Sequence, residues 1–172
     1  MLFSNKNKIT ESQLAEFLYY AAKKFGIEAA QHEMKRAESP FKDAIPEIFE
    51  YERMIVIFWI IDNFFADPDR KLTASVHKEY FKELGILDDK EKVLSKVRFL
   101  MHRYKEYYDA YDNKTDNGQF ILASVIAKNI FGQDRPILDF RITSQIAFDI
   151  PLLIKTLKES IFDKYKVIPN AS

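Results

Sequence analysis

Met54-Ile-Val-Ile-Phe-Trp-Ile-Ile61 is the longest apolar run in the chain, and its reading decides the fold. Taken alone, eight such residues suit a buried strand as well as a buried helix. Their surroundings separate the two. From Asp43 to Ala66 nothing breaks the chain, because Pro46 falls in the first turn, where its missing N–H costs little. The stretch therefore predicts a central helix over about 43–66, capped by Asp43 and apolar nearly all round. The run is also far shorter than the roughly 20 apolar residues needed to span a bilayer.

Working towards the start, Leu14, Phe17, Leu18, Ala21 and Phe25 recur at the spacing of one helical face. Thr10-Glu-Ser-Gln13 supplies a capping box before them, and Gly26 is placed to close the helix in a left-handed conformation. A short second helix over Glu28–Glu38 would stop at Ser39-Pro40.

Towards the end, Asp67-Pro68-Asp69 marks a turn and Thr73 caps a helix that ends at Gly85. Asp88-Asp-Lys-Glu91 offers another capping box, for a helix reaching about Tyr111. Asn113 to Gly118 reads as a polar turn before a helix from Gln119 to Phe131, ended by Gly132. The last segment, Asp139 to Tyr165, is helical in pattern but should kink or restart at Pro151, with Asp149 as the new cap.

Composition agrees. The 172 residues include only 4 Gly and 6 Pro, too few for the turns a sheet protein needs. β-Branched Ile outnumbers Leu, but the periodicity is helical throughout. No linker, repeat or low-complexity stretch divides the chain. The expectation is all-α: a single domain, 1–172, folded as an irregular bundle of seven or eight helices around the central one.

Charge and residue types exclude several chemistries. Lys+Arg and Asp+Glu are balanced at 26 each, which argues against an electrostatic grip on nucleic acid or anionic membrane. The polar start after Phe3 lacks the apolar stretch of a signal peptide, so a cytoplasmic protein is expected. With no cysteine there is no thiolate nucleophile, thiolate metal site or redox switch. His32, His77 and His102 make no HExxH and follow no glutamate by three, so no cofactor or metal is expected. Glu47-Ile-Phe-Glu50 is one acidic pair without a second to complete a magnesium site. The Asp112–Gly118 loop lacks the acids of a calcium loop. Phe17–Ala37 has the glycine of a helix-turn-helix, yet puts His32 and Lys35 where the recognition helix should be apolar. DNA binding is the least favoured reading.

Two features carry content. On the helix ending at Tyr111, Val93, Val97, Leu100, Met101, Tyr104, Tyr107, Tyr108 and Tyr111 share one stripe, with Phe99 off it. The tyrosines continue a core stripe or form an interaction surface together with Phe99. On the central helix, Glu52, Asp62 and Asn63 lie on the broad side of Trp59. A buried carboxylate there needs a hydrogen-bonded partner, with Arg53, Arg98, Arg103 and Arg141 as candidates. Such a cluster is either a structural ion pair or a small polar pocket for a cationic or hydrogen-bonding ligand.

Two functions follow. The first is a non-enzymatic interaction module whose partner is another protein or a second copy of the chain in a homodimer, using Phe99, Tyr107, Tyr108 and Tyr111. The alternative is a small-ligand binder or enzyme using Glu52, Trp59, Asp62 and Asn63. An exposed apolar patch favours the first, and a concave pocket lined by those residues the second.

Overall fold

The computed structural model describes residues 7–66, 69–111, 118–132 and 140–168. The expected turn at Asp67-Pro68, most of the Asp112–Gly118 loop and the helix start at Asp139 lie outside them. The fold is helical. A short strand β1 (Asn7–Thr10) leads into α1 (Glu11–Ala22), and α2 (Ala29–Met34), α3 (Pro46–Phe64) and α4 (Lys71–Glu83) follow. Then come α5 (Lys90–Tyr111), α6 (Gly118–Phe131), α7 (Phe140–Leu157) and a second strand, β2 (Tyr165–Ile168). The two strands pair in parallel, Asn7 with Tyr165 and Thr10 with Ile168. No helix among the described residues is long and apolar enough to cross a membrane.

The α3 helix is the centre. Every residue from Met54 to Asp62 is buried, and α3 touches all six other α-helices. A helix enclosed on all sides has no polar face to present, which is why its sequence has no amphipathic period. Its start differs from expectation. Ile45 is the N-cap residue and Pro46 opens the helix, while Asp43 makes no cap and lies before the first turn.

Gly26 does not end α1. Lys23–Glu28 forms a π-helical segment that joins α1 to α2 without a break, so the described residues make six continuous helical rods rather than seven or eight. Gly26 serves a close approach instead, since a Cβ there would lie 2.9 Å from Cα of Met54. The missing side chain lets the π segment touch the α3 backbone. With no turn between α1 and α2, the two-helix unit of a helix-turn-helix does not form.

The other ends divide similarly. Thr10 and Gln13 form the expected capping box, and Gly85 and Gly132 take positive φ after α4 and α6. The cap of α5 is Asp89, whose carboxylate accepts from the Lys92 N–H at 3.1 Å, one residue later than the box predicted from Asp88. Helix α4 begins before Thr73, behind Arg70 at φ 53°, and Thr73 is turned to another partner. Helix α7 continues through Pro151 without a restart, and Asp149 pairs with Arg53 at 2.7 Å instead of capping. After α7 a second π-helical segment, Lys158–Phe162, leads to β2, with Phe162 stacked on Phe65 of α3's end at 4.1 Å.

Candidate functional site

Trp59 is wholly buried at the middle of the α3–α5 contact. Tyr107, Tyr108 and Tyr111 of α5 and Phe64 of α3 present ring edges or faces to it, with centroids 5.5 to 6.0 Å away. The tyrosine stripe therefore grips a tryptophan of its own chain. Tyr107 is fully buried and Tyr108 and Tyr111 are partly so, because the stripe faces α3 rather than solvent. Tyr107 thus presents no surface to a partner. Met101, at the stripe's edge, is exposed.

On either side of Trp59 stands one buried carboxylate. Asp62 accepts from the Thr73 hydroxyl at 2.8 Å and from the Tyr108 hydroxyl, and Arg70 approaches it at 3.4 Å. The left-handed backbone of Arg70 places its guanidinium over the Tyr108 ring as well, 5.7 Å from the centroid. Such a φ costs a non-glycine residue about 1 kcal/mol. Asn63, the next residue, is half-buried.

Glu52 accepts from the Tyr107 hydroxyl and lies 3.7 Å from Nε of Arg103. Burial raises its pKa, against the Tyr107 hydrogen bond and the Arg103 charge, which lower it. The guanidinium of Arg103 is fixed from the far side by Glu106 at 2.8 Å and by the Asn129 carbonyl at 2.6 Å. Of the four arginines considered as carboxylate partners, Arg103 is the one beside Glu52; Arg53 serves Asp149. Asp62 takes Arg70, which was not among those four.

Glu52, Trp59 and Asp62 thus share one side of α3, each in contact with a tyrosine of α5. One concave feature among the described residues lies between α3 and α5 on the Glu52 side. It is a cleft of about 530 Å³ whose walls include Ile48, Tyr51, Tyr80 and Phe99 beside Glu52 and Lys96. Phe99, 36% exposed, stacks on Tyr51 with centroids 5.8 Å apart. Its place off the stripe is explained by this cleft. Tyr51 and Lys96 are site residues that the sequence reading missed; Lys96, Phe99 and Arg103 follow one another at i, i+3 and i+7, a usable signal.

Another surface also went unread. Helix α7 buries Ile142, Ile146, Ile150 and Leu157, yet Phe140, Phe148 and Leu152 lie exposed on its other side. Phe120 of α6 stacks on Phe140, with rings 7° from parallel. His32 and His102 are exposed, and His77 is buried against Tyr104. Among the described residues no group of three or more His, Asp or Glu is placed to hold a metal ion. Comparisons of the chain with protein families, with curated proteins and with solved structures find no match.

Proposed function

We propose that the protein is an interaction module that docks through the outer face of α7, with a second copy of the chain as its partner. The observation that carries this reading is the exposure of Phe140, Phe148 and Leu152, at 73%, 74% and 61%. A surface helix needs one apolar stripe, towards its own core. Helix α7 has two, and the second covers no core among the described residues. Exposed large apolar side chains gathered on one helix face favour a contact site.

The spacing favours self-pairing. Phe140, Ser144, Phe148 and Leu152 follow at four-residue intervals along one ridge. In an antiparallel pair of α7 helices about a two-fold axis, Phe140 stands opposite Leu152 and Phe148 opposite the small Ser144. A two-fold contact requires this self-complementarity. Zero net charge adds no repulsion between copies.

Light scattering at high micromolar concentration tests the reading. The native chain should have twice its 20.3 kDa mass, and Phe148→Glu should halve it with unchanged circular dichroism. A monomeric native chain, or a dimer indifferent to Phe148→Glu, rejects it.

A further inference from the structure

The cleft between α3 and α5 has ring faces on which positive charge already rests. The Lys96 ammonium lies 5.2 Å from the centroid of Tyr51, and the Arg103 guanidinium 5.3 Å from that of Phe99. Tyr51 and Phe99 also stack on each other, so the four side chains are in successive contact. Tyr80 adds a third aromatic ring to the lining, and Glu47 and Glu52 add two carboxylates.

The two resident cations are not held alike. Arg103 is locked by Glu106 and Asn129. Lys96 reaches Tyr51 on a flexible four-carbon stem from a half-buried position on α5. Aromatic faces attract an ammonium through the ring quadrupole, and a carboxylate alongside strengthens the attraction. We propose that this cleft is a binding site for a small organic ammonium, a primary or quaternary amine with a short apolar body, and that Lys96 fills it in the free protein as an internal surrogate. The incoming ammonium takes the place of Lys96 on Tyr51, its apolar body lies along Ile48 and Phe99, and Lys96 swings to solvent. An anion is disfavoured, because the cleft's two cations are already engaged, Lys96 with Tyr51 and Arg103 with Phe99, Glu106 and Asn129, and the lining also carries Glu47.

The surrogate gives the test its sign. The probes are n-butylammonium and tetramethylammonium chlorides, with sodium benzoate as the anionic counterpart and sodium chloride as the salt control. Binding is followed by the aromatic NMR resonances of Tyr51 and Phe99. Both ammonium salts should shift them saturably, and Lys96→Ala, which removes the competitor, should bind about tenfold tighter. Lys96→Met, which keeps the stem without the charge, gives a second reading should the alanine variant fail to fold. It too should bind the ammonium salts more tightly than the native chain. The proposal is overturned if the ammonium salts cause no saturable shift. Unchanged or weaker ammonium binding in both lysine variants overturns it as well, as does benzoate that binds the native chain and is lost on removing Lys96.

Discussion

The Nε2 nitrogen of His77 lies 2.8 Å from the Tyr104 hydroxyl oxygen, and both side chains are buried. The rings of Phe58 and Phe81 flank the imidazole, and Asp62 is the nearby charge. Burial lowers the His77 pKa to about 4, although Asp62 acts to raise it. In the unfolded chain the imidazole takes its proton near pH 6.5. Between those values the unfolded state holds one more proton, so acidification favours unfolding. Stability should be full above about pH 6.5 and fall towards pH 4 by up to about 3 kcal/mol. The raised pKa of Glu52 works in the opposite sense, and a His77→Phe variant shares it. The comparison of urea midpoints against pH therefore isolates His77: the native chain should show the slope and the variant should lack it. Equal slopes in the two proteins would count against this.

Gly26→Ala should destabilise the protein by about 1–3 kcal/mol. The added Cβ meets backbone atoms of Met54, at 2.9 and 3.0 Å, and neither is the movable end of a side chain. Chemical denaturation measures the loss. The same substitution in an exposed helix would be favourable by roughly 1 kcal/mol, so the sign itself is diagnostic.

Tyr107→Phe removes the hydroxyl that donates to Glu52 and should cost about 1–3 kcal/mol at neutral pH. That hydrogen bond favours the charged carboxylate. The cost should therefore shrink on acidification, once Glu52 is protonated in native and variant alike. A penalty that stays constant with pH would show that Glu52 is already neutral at pH 7.

Pro151→Ala should raise the melting temperature. Pro151 sits inside α7 with its side chain exposed, and it withholds one backbone hydrogen bond from the helix. Alanine supplies the N–H, and the helix-propensity difference is about 3 kcal/mol, less roughly 1 kcal/mol for the freer unfolded chain. An unchanged or lower melting temperature would mean that the ring stiffens α7 more than the lost bond weakens it.

The helical architecture was legible because burial writes a period into the sequence. Leu14, Leu18 and Ala21 are buried as their spacing implies, and so are Leu100, Tyr104 and Tyr107. Gly26 shows where that reading stops. A glycine that ends a helix and one that admits a neighbouring backbone are the same letter, and only tertiary contact distinguishes them. Pro151 is similar, since a helix packed along its length can absorb a lost hydrogen bond that would break an isolated one. The β1–β2 pairing has no local signal at all, because its strands lie near opposite ends of the described chain. Within the candidate site, Glu52 and Asp62 were recognisable as carboxylates in need of partners. Their tyrosine partners on α5 were not, because that pairing depends on how α5 sits against α3. The second stripe of α7 was present in the sequence as Phe140, Phe148 and Leu152. It was obscured because an apolar residue reads as core until its face is known.

The parallel pairing of Asn7–Thr10 with Tyr165–Ile168 has a mechanical consequence. Asn7 begins one strand at one end of the ladder, and Ile168 finishes the other strand at the opposite end. Tension drawn between these two residues loads the inter-strand hydrogen bonds sideways and all together, in shear, rather than peeling them apart one at a time. The helices lie between the two strands in sequence, so the pull cannot reach them until the ladder yields. Four residues on each side, the smallest regular elements of the fold, are placed to act as its tensile clasp.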